Sequence, residues 1–141
     1  MRAVYVESSA LLAWLLGEPR ADQVISRLNQ AQTVVTSVLT VVEVGRAVHR
    51  AESRLLLTAA QAEKLQGMLE RAKAGWILME ISEEVRSRAT RAFPVEPVRT
   101  LDAIHLATVL IFMRAFPDLR LLSYDERILE NARPLGIEVS P

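Results

Sequence analysis

The 141-residue sequence contains no cysteine. This absence excludes disulfides, thiolate zinc sites and cysteine nucleophiles, and it is compatible with a reducing compartment. Carboxylates and two histidines remain as candidate metal ligands. Any metal site in this chain is therefore expected to be built mainly from oxygen.

Long hydrophobic runs are also lacking. The apolar run at residues 3–6 is too short for a signal peptide, and the run at residues 103–112 is too short to cross a membrane. We therefore expect a cytoplasmic protein with no membrane association.

The sequence has no excess of charge of either sign, since 17 basic residues balance 17 acidic ones. This balance does not indicate a general affinity for nucleic acid, so any site for a polyanion must be local. Only Lys64 and Lys73 are lysines, and the other bases are arginines, whose planar guanidinium groups suit phosphate. Half of the residues are hydrophobic, as in a globular protein, and the length predicts a single domain over residues 1–141.

Predicted strands and helices alternate along the whole chain. The strands are predicted at residues 3–6, 33–37, 76–81, 120–124 and 137–139. Helices are predicted at residues 8–16, around 24–28, and at 39–53, 59–75, 82–92, 101–116 and 125–132. We expect Ser8 or Ser9, Thr58 and Thr100 to cap the helices that follow them. The alternation predicts an α/β fold, with a parallel sheet covered by helices on both faces.

Four isolated acids lie beside apolar segments: Glu7, Glu43, Asp102 and Asp125. A carboxylate is costly to bury there unless it is paired, hydrogen-bonded or bound to a cation. Glu7 and Asp125 follow predicted strands, and ligands of doubly wound sheets bind at the carboxyl ends of strands. Asp102 would begin one helix, and Glu43 lies early in another. We expect the four to form one hard-oxygen site for Mg²⁺ or Mn²⁺, and a metal to stabilise the protein measurably.

Each acid also has a simpler interpretation. Glu43 could form a surface ion pair with Arg46 or Arg50 on its own helix. Asp102 could be an ordinary acid of a first helical turn, and Asp125 an ordinary helix cap. Glu7 is the hardest to explain in this way, because glutamate is not among the residues preferred at helix caps.

The remaining polar and aromatic candidates favour structural roles. His105 lies in an apolar helix and is expected to be a packed, hydrogen-bonded core residue, whereas His49 is expected to be exposed. Trp14 and the leucines around it are expected in the core or at a subunit interface.

Four segments together resemble PIN-domain endoribonucleases, specifically the VapC toxins of bacterial and archaeal toxin–antitoxin systems. They are residues 4–11 (VYVESSAL), 37–43 (SVLTVVE), 99–107 (RTLDAIHLA) and 122–127 (LSYDER). Each segment is a weak signal by itself, but their order and spacing over nearly the full length are fairly specific.

The resemblance implies a five-stranded parallel sheet of order 3-2-1-4-5, a PIN-like fold. It implies an acidic Mg²⁺ or Mn²⁺ site made of Glu7, Glu43, Asp102 and Asp125, with Ser123 as a polar contact. It also implies RNA as the substrate, a homodimer, and a small cognate antitoxin as partner. The expected activity is metal-dependent hydrolysis of RNA phosphodiester bonds.

Glu7 departs from the family pattern, which usually has aspartate at this position. The extra methylene moves the carboxylate by roughly 1.5 Å, one carbon–carbon bond, and Mg²⁺ demands a near-ideal geometry. An alternative is therefore a catalytically weak PIN-like module that acts by binding RNA or protein. A phospho-acceptor signalling domain is a third interpretation, which the absence of any lysine after Lys73 disfavours.

Overall fold

The computed structural model describes residues 2–141, in which five strands alternate with seven helices. The strands are β1 (Ala3–Val6), β2 (Thr33–Ser37), β3 (Ile77–Met79), β4 (Arg120–Leu122) and β5 (Glu138–Val139). The helices are α1 (Ser8–Leu15), α2 (Ala21–Gln30), α3 (Val38–Ser53), α4 (Ala59–Lys73), α5 (Glu83–Ala89), α6 (Thr100–Ala115) and α7 (Glu126–Ala132).

All strands pair in parallel in the order β3-β2-β1-β4-β5, which confirms the expected fold class and order. The central strand β1 pairs with β2 on one side and with β4 on the other. Its Val6 is in register with Leu122, so β1 and β4 end side by side. The residues that follow these two strands therefore emerge together at the carboxyl edge of the sheet.

Successive strand residues point to opposite faces of the sheet, and each face has its own core. Val4 and Val6 of β1 pack against α1, α2, α3 and α4, whereas Ala3 and Tyr5 pack against α6 and α7. The second core is centred on Leu106 and Phe112 of α6. Helices α3 and α6 thus cover opposite faces of the sheet.

The predicted helix caps were partly wrong. Thr58 does cap α4, in a capping box with Gln61, but α1 is capped by the Glu7 side chain rather than by Ser8 or Ser9. Thr100 is the first residue of α6 rather than its cap, because the chain is still extended at Arg99.

Two helices end in the same hydrogen-bonded turn with different residues at its left-handed position. Gly17 has a φ of 65° after α1, where the conformation costs glycine little. Leu55 has a φ of 59° after α3 and is 91% exposed, so a bulky side chain occupies a position that favours glycine.

Across residues 2–141, no helix is both long enough and apolar enough to span a membrane.

Candidate functional site

The four predicted site acids lie on four different elements near the carboxyl edge of the sheet. Glu7 directly follows β1, and Asp125 follows β4 as the cap of α7. Glu43 lies in the second turn of α3, which begins directly after β2, and Asp102 lies in the first turn of α6. The simpler interpretations of Asp102 and Asp125 as helix-start residues are therefore structurally correct, and both residues also belong to this edge.

The Glu7 carboxylate is 3% exposed and is held by neutral hydrogen-bond donors. Its Oε1 accepts from the Ser9 hydroxyl at 2.5 Å and from the Ser123 hydroxyl at 2.6 Å. Its Oε2 accepts from the backbone N–H of Ser9 at 3.1 Å, which caps α1. A buried carboxylate with three donors has the hydrogen bonds that its charge requires without a cation.

Ser9 and Ser123 also accept hydrogen bonds from the backbone that follows β4. The Ser9 hydroxyl accepts from the backbone N–H of Tyr124 at 2.8 Å, and the Ser123 hydroxyl accepts from that of Asp125 at 3.1 Å. Glu7 and the two serines therefore join the end of β1 to the end of β4. The role of Ser9 as a donor to Glu7 was not predicted from the sequence.

Glu43 is paired with His105 rather than with Arg46 or Arg50 of its own helix. Its Oε1 lies 2.6 Å from His105 Nε2 and accepts from the Ser8 hydroxyl at 2.5 Å. Burial opposes ionisation of this carboxyl, but the hydrogen bond and charge of His105 and the bond from Ser8 lower its pKa overall. Glu43 is therefore ionised at neutral pH.

His105 is buried as predicted, at 1% exposure, but it also contacts the candidate site. Its Nδ1 lies 2.8 Å from the Tyr5 hydroxyl, while its Nε2 contacts Glu43. The apolar helical pattern around His105 correctly predicted burial and gave no sign of this contact. His49 is exposed, as expected.

Asp102 and Asp125 have neither a basic partner like that of Glu43 nor the three hydrogen-bond donors of Glu7. Neither forms an ion pair with any residue in the part of the chain that the structure describes. Burial raises the pKa of Asp102, and the negative charges of Asp125 and Glu7 raise it further, although His105 and Arg127 act in the opposite direction. Asp102 and Asp125 are thus close enough to repel one another.

The donor set fits a divalent cation at these two aspartates. Mg²⁺ is typically bound by one or two carboxylates together with several waters and substrate phosphates. Two half-buried carboxylates that repel each other are suited to such an ion. Among the side chains of residues 2–141, no three acids or histidines converge closely enough to enclose a metal. The fit is therefore to an open site with few protein ligands.

A cavity of about 320 Å³ adjoins Asp102, and its lining contains two arginines as well as the acid Glu130. It is lined by Asp102, Arg99, Arg127 and Asn131, among others. Arginine beside a metal-binding carboxylate can hold a phosphate while the carboxylate holds the metal. A larger cavity of about 840 Å³ between α5 and α6 includes none of the four acids.

Comparison with known proteins gives a consistent result over nearly the whole chain. The family model for the PIN domain matches residues 4–134. The chain is 36% identical to ribonuclease VapC46 of Mycobacterium tuberculosis over 140 residues, which cover 99% of this chain and 97% of that protein. It is 35% identical to ribonuclease VapC35 of the same species over 138 residues, covering 96% and 94%.

Solved structures share the fold at lower identity. A toxin–antitoxin complex from Klebsiella pneumoniae contains a chain with a TM-score of 0.68 and 16% identity, covering 98% of this chain and 97% of that one. VapC20 of Mycobacterium tuberculosis, described as a toxin that cleaves the sarcin–ricin loop, has a TM-score of 0.64 and 16% identity, covering 98% and 99%.

Proposed function

Because this chain belongs to the PIN domain family, we propose that it is a metal-dependent endoribonuclease, the toxin of a toxin–antitoxin pair. The relatives with 36% and 35% identity over nearly their full lengths are both named ribonucleases. The observation that carries the proposal is the pair Asp102 and Asp125, two carboxylates without an ion-pair partner among the described residues, of which Asp102 lines a cavity together with Arg99 and Arg127. That combination suits a metal ion and a phosphodiester together.

We assign the site to Glu7, Glu43, Asp102 and Asp125, with different roles. Asp102 and Asp125 would hold Mg²⁺ or Mn²⁺, which supplies charge neutralisation and lowers the pKa of a bound water. Glu7 anchors the edge on which the pair lies and adds negative charge near Asp102. Arg99 and Arg127 would bind the scissile phosphate from the adjoining cavity.

Glu43 would orient the attacking water by accepting a hydrogen bond from it. Ser8 and His105 both contact Oε1, which leaves Oε2 available to a water or to the substrate. Because the pKa of Glu43 is lowered, its carboxylate is charged at neutral pH and can accept a hydrogen bond from that water.

The test is cleavage of cellular RNA by purified protein with Mg²⁺ or Mn²⁺. Wild type should cleave RNA, EDTA should abolish cleavage, and Asp102→Asn should be inactive. Asp22→Asn, on the exposed surface of α2, is the matched control and should cleave like wild type. Equal cleavage by wild type and Asp102→Asn would indicate a contaminating nuclease, and no cleavage with either metal would refute the proposal.

We also propose a cognate antitoxin and a homodimer as the assembly. The support for the antitoxin is the structural likeness to a chain of a toxin–antitoxin complex. The homodimer rests on the sequence resemblance alone. Co-expression with a short protein encoded by the adjacent reading frame should yield a complex that no longer cleaves RNA. The cytoplasmic location stays a prediction.

A second candidate is a catalytically weak PIN-like module that binds RNA or protein. The observation that favours it is the Glu7 carboxylate, whose two oxygens already accept hydrogen bonds from Ser9 and Ser123. Glu7→Asp discriminates between the two candidates. If wild type is inactive and Glu7→Asp cleaves RNA, the length of this side chain was the defect; if both bind RNA and neither cleaves it, the binding module is correct.

A further inference from the structure

We propose that His105 is a positioning residue, which fixes the Glu43 carboxylate through Nε2 while Tyr5 fixes the imidazole ring through Nδ1. The inference rests on the proposed ribonuclease function, in which Glu43 orients the attacking water. It assigns a function to a buried group that the sequence alone indicated to be core.

Both nitrogens of the His105 ring have a specific partner. Nδ1 lies 2.8 Å from the Tyr5 hydroxyl on β1, and Nε2 lies 2.6 Å from Glu43 Oε1 on α3. The Tyr5 and His105 rings also pack edge to face, with centroids 6.1 Å apart. A ring with two defined hydrogen bonds and 1% exposure has one orientation, which a residue that only filled space would not require.

Tyr5 determines which nitrogen of a neutral His105 carries the proton. Burial raises the pKa of Tyr5 far above its ordinary value, and the charges of Glu7 and Glu43 act in the same direction, against the opposing effect of the Thr40 and Thr36 hydroxyls. Tyr5 therefore remains a hydroxyl and can donate to Nδ1. The proton of a neutral ring then lies on Nε2, and a charged ring carries its second proton on Nδ1, so Nε2 donates to Glu43 in both cases.

This hydrogen bond joins the two layers of helices that the sheet otherwise separates. Glu43 is carried by α3, on the face covered by the first core, and His105 by α6, on the opposite face. Ser8, the only other side-chain donor to Glu43 among residues 2–141, belongs to α1 on the same face as α3. Without His105, Ser8 would be the only side chain holding the Glu43 carboxylate, which could then rotate, so that Oε2 would no longer point in one direction.

The matched variants are His105→Gln and His105→Asn. The amide nitrogen of glutamine can reach the position of Nε2 and donate to Glu43, whereas the shorter asparagine reaches only the position of Nδ1. Both place an amide in the same buried site, but asparagine leaves the larger void, so the comparison rests on kcat rather than on stability. We expect His105→Asn to lower kcat for RNA cleavage by about 10- to 100-fold with KM unchanged, and His105→Gln to restore kcat to within about threefold of wild type.

A second measurement needs neither RNA nor metal. In thermal unfolding with EDTA, His105→Asn and Glu43→Gln should not be additive: the Tm shift of the double variant should be smaller than the sum of the single shifts. Additive shifts, or equal kcat for the Gln and Asn variants, would overturn the inference. An inactive wild type whose unfolding shifts are non-additive would refute the proposed ribonuclease and leave the positioning of Glu43 by His105 supported.

Discussion

Neutralising Glu7 should destabilise the protein, which is opposite to the effect expected for a simple metal ligand. In a cluster of carboxylates without a bound cation, removing one negative charge reduces the repulsion among the others and stabilises the metal-free protein. Glu7, however, is 3% exposed and accepts three hydrogen bonds from Ser9 and Ser123. Glu7→Gln keeps the volume of the side chain and removes its charge, so it separates these two effects.

The magnitude follows from the contacts of the two carboxylate oxygens. In Glu7→Gln the amide oxygen can replace Oε1 and still accept from both hydroxyls, but as a neutral acceptor, which weakens each bond by roughly 0.5–1 kcal/mol. The amide nitrogen replaces Oε2 and cannot accept from the backbone N–H of Ser9, so the cap of α1 is lost at a cost of about 1 kcal/mol. The relief of repulsion with the half-exposed Asp102 offsets about 0.5 kcal/mol. The expected net loss is about 2 kcal/mol.

The assay is thermal and urea unfolding at pH 7 in EDTA. For a domain of this size, about 2 kcal/mol corresponds to a decrease in Tm of roughly 6–10 °C. Glu63→Gln, on the exposed surface of α4, is the control and should change stability by less than about 0.5 kcal/mol. If Glu7→Gln were as stable as Glu63→Gln or more stable, the assignment of Glu7 as an anchor would be wrong.

Four further outcomes can be measured by unfolding. Asp102→Asn should raise the free energy of unfolding in EDTA at pH 7 by less than about 1 kcal/mol. The pKa of Asp102 is higher in the folded state than in the unfolded state, so ionisation of this residue destabilises the fold. The gain should disappear at a pH below the unfolded pKa, where wild-type Asp102 is protonated in both states. Mn²⁺ at 100 times its Kd should stabilise wild type by about 2.7 kcal/mol and leave Asp102→Asn unchanged. The pKa of Glu43 is lowered in the folded state, so its contribution to stability is present above the unfolded pKa and is lost as pH falls through the folded pKa. The difference in free energy of unfolding between wild type and Glu43→Gln should therefore shrink over that range. A constant difference would contradict the pairing of Glu43 with His105. Leu55→Gly should stabilise the protein by about 0.5–1 kcal/mol, because glycine removes the left-handed strain at an exposed residue and loses only part of that gain to chain entropy.

The sequence located the strands well and their ends less well, for a physical reason. The strand predicted at residues 33–37 is observed as β2 with the same first and last residues. A buried β-branched run that has a helix on each side leaves few alternative positions for the ends of the strand. The third strand was expected at residues 76–81, but β3 stops at Met79, which pairs with Ser37, the last residue of β2. The fourth stops at Leu122, which pairs with the last residue of β1. The end of a strand depends on the partner with which it pairs, and apolar periodicity within one segment carries no information about that partner.

In the candidate site, too, the sequence predicted what depends on neighbouring residues and missed contacts between residues that are far apart in the chain. Each acid was detectable locally, because a carboxylate beside apolar residues is costly to bury and so requires a partner. The identity of that partner was not detectable. His105 contacts Glu43 across 62 residues of sequence and Tyr5 across 100, and neither separation leaves a periodic signal within the helix that carries His105.

The longer side chain at position 7 changes how negative charge is distributed over the site. Glu7 has three neutral donors, and Glu43 has His105 and Ser8, so both glutamates are held in the protein without a metal. The demand for a cation therefore falls mainly on Asp102 and Asp125, since neither forms an ion pair among the described residues and the pKa of Asp102 is raised despite the nearby His105 and Arg127. Mg²⁺ accepts such a site because it retains much of its water and needs only one or two carboxylates. On this argument metal affinity should depend much more strongly on Asp102 than on Glu7, while stability of the metal-free protein should depend on them with opposite signs.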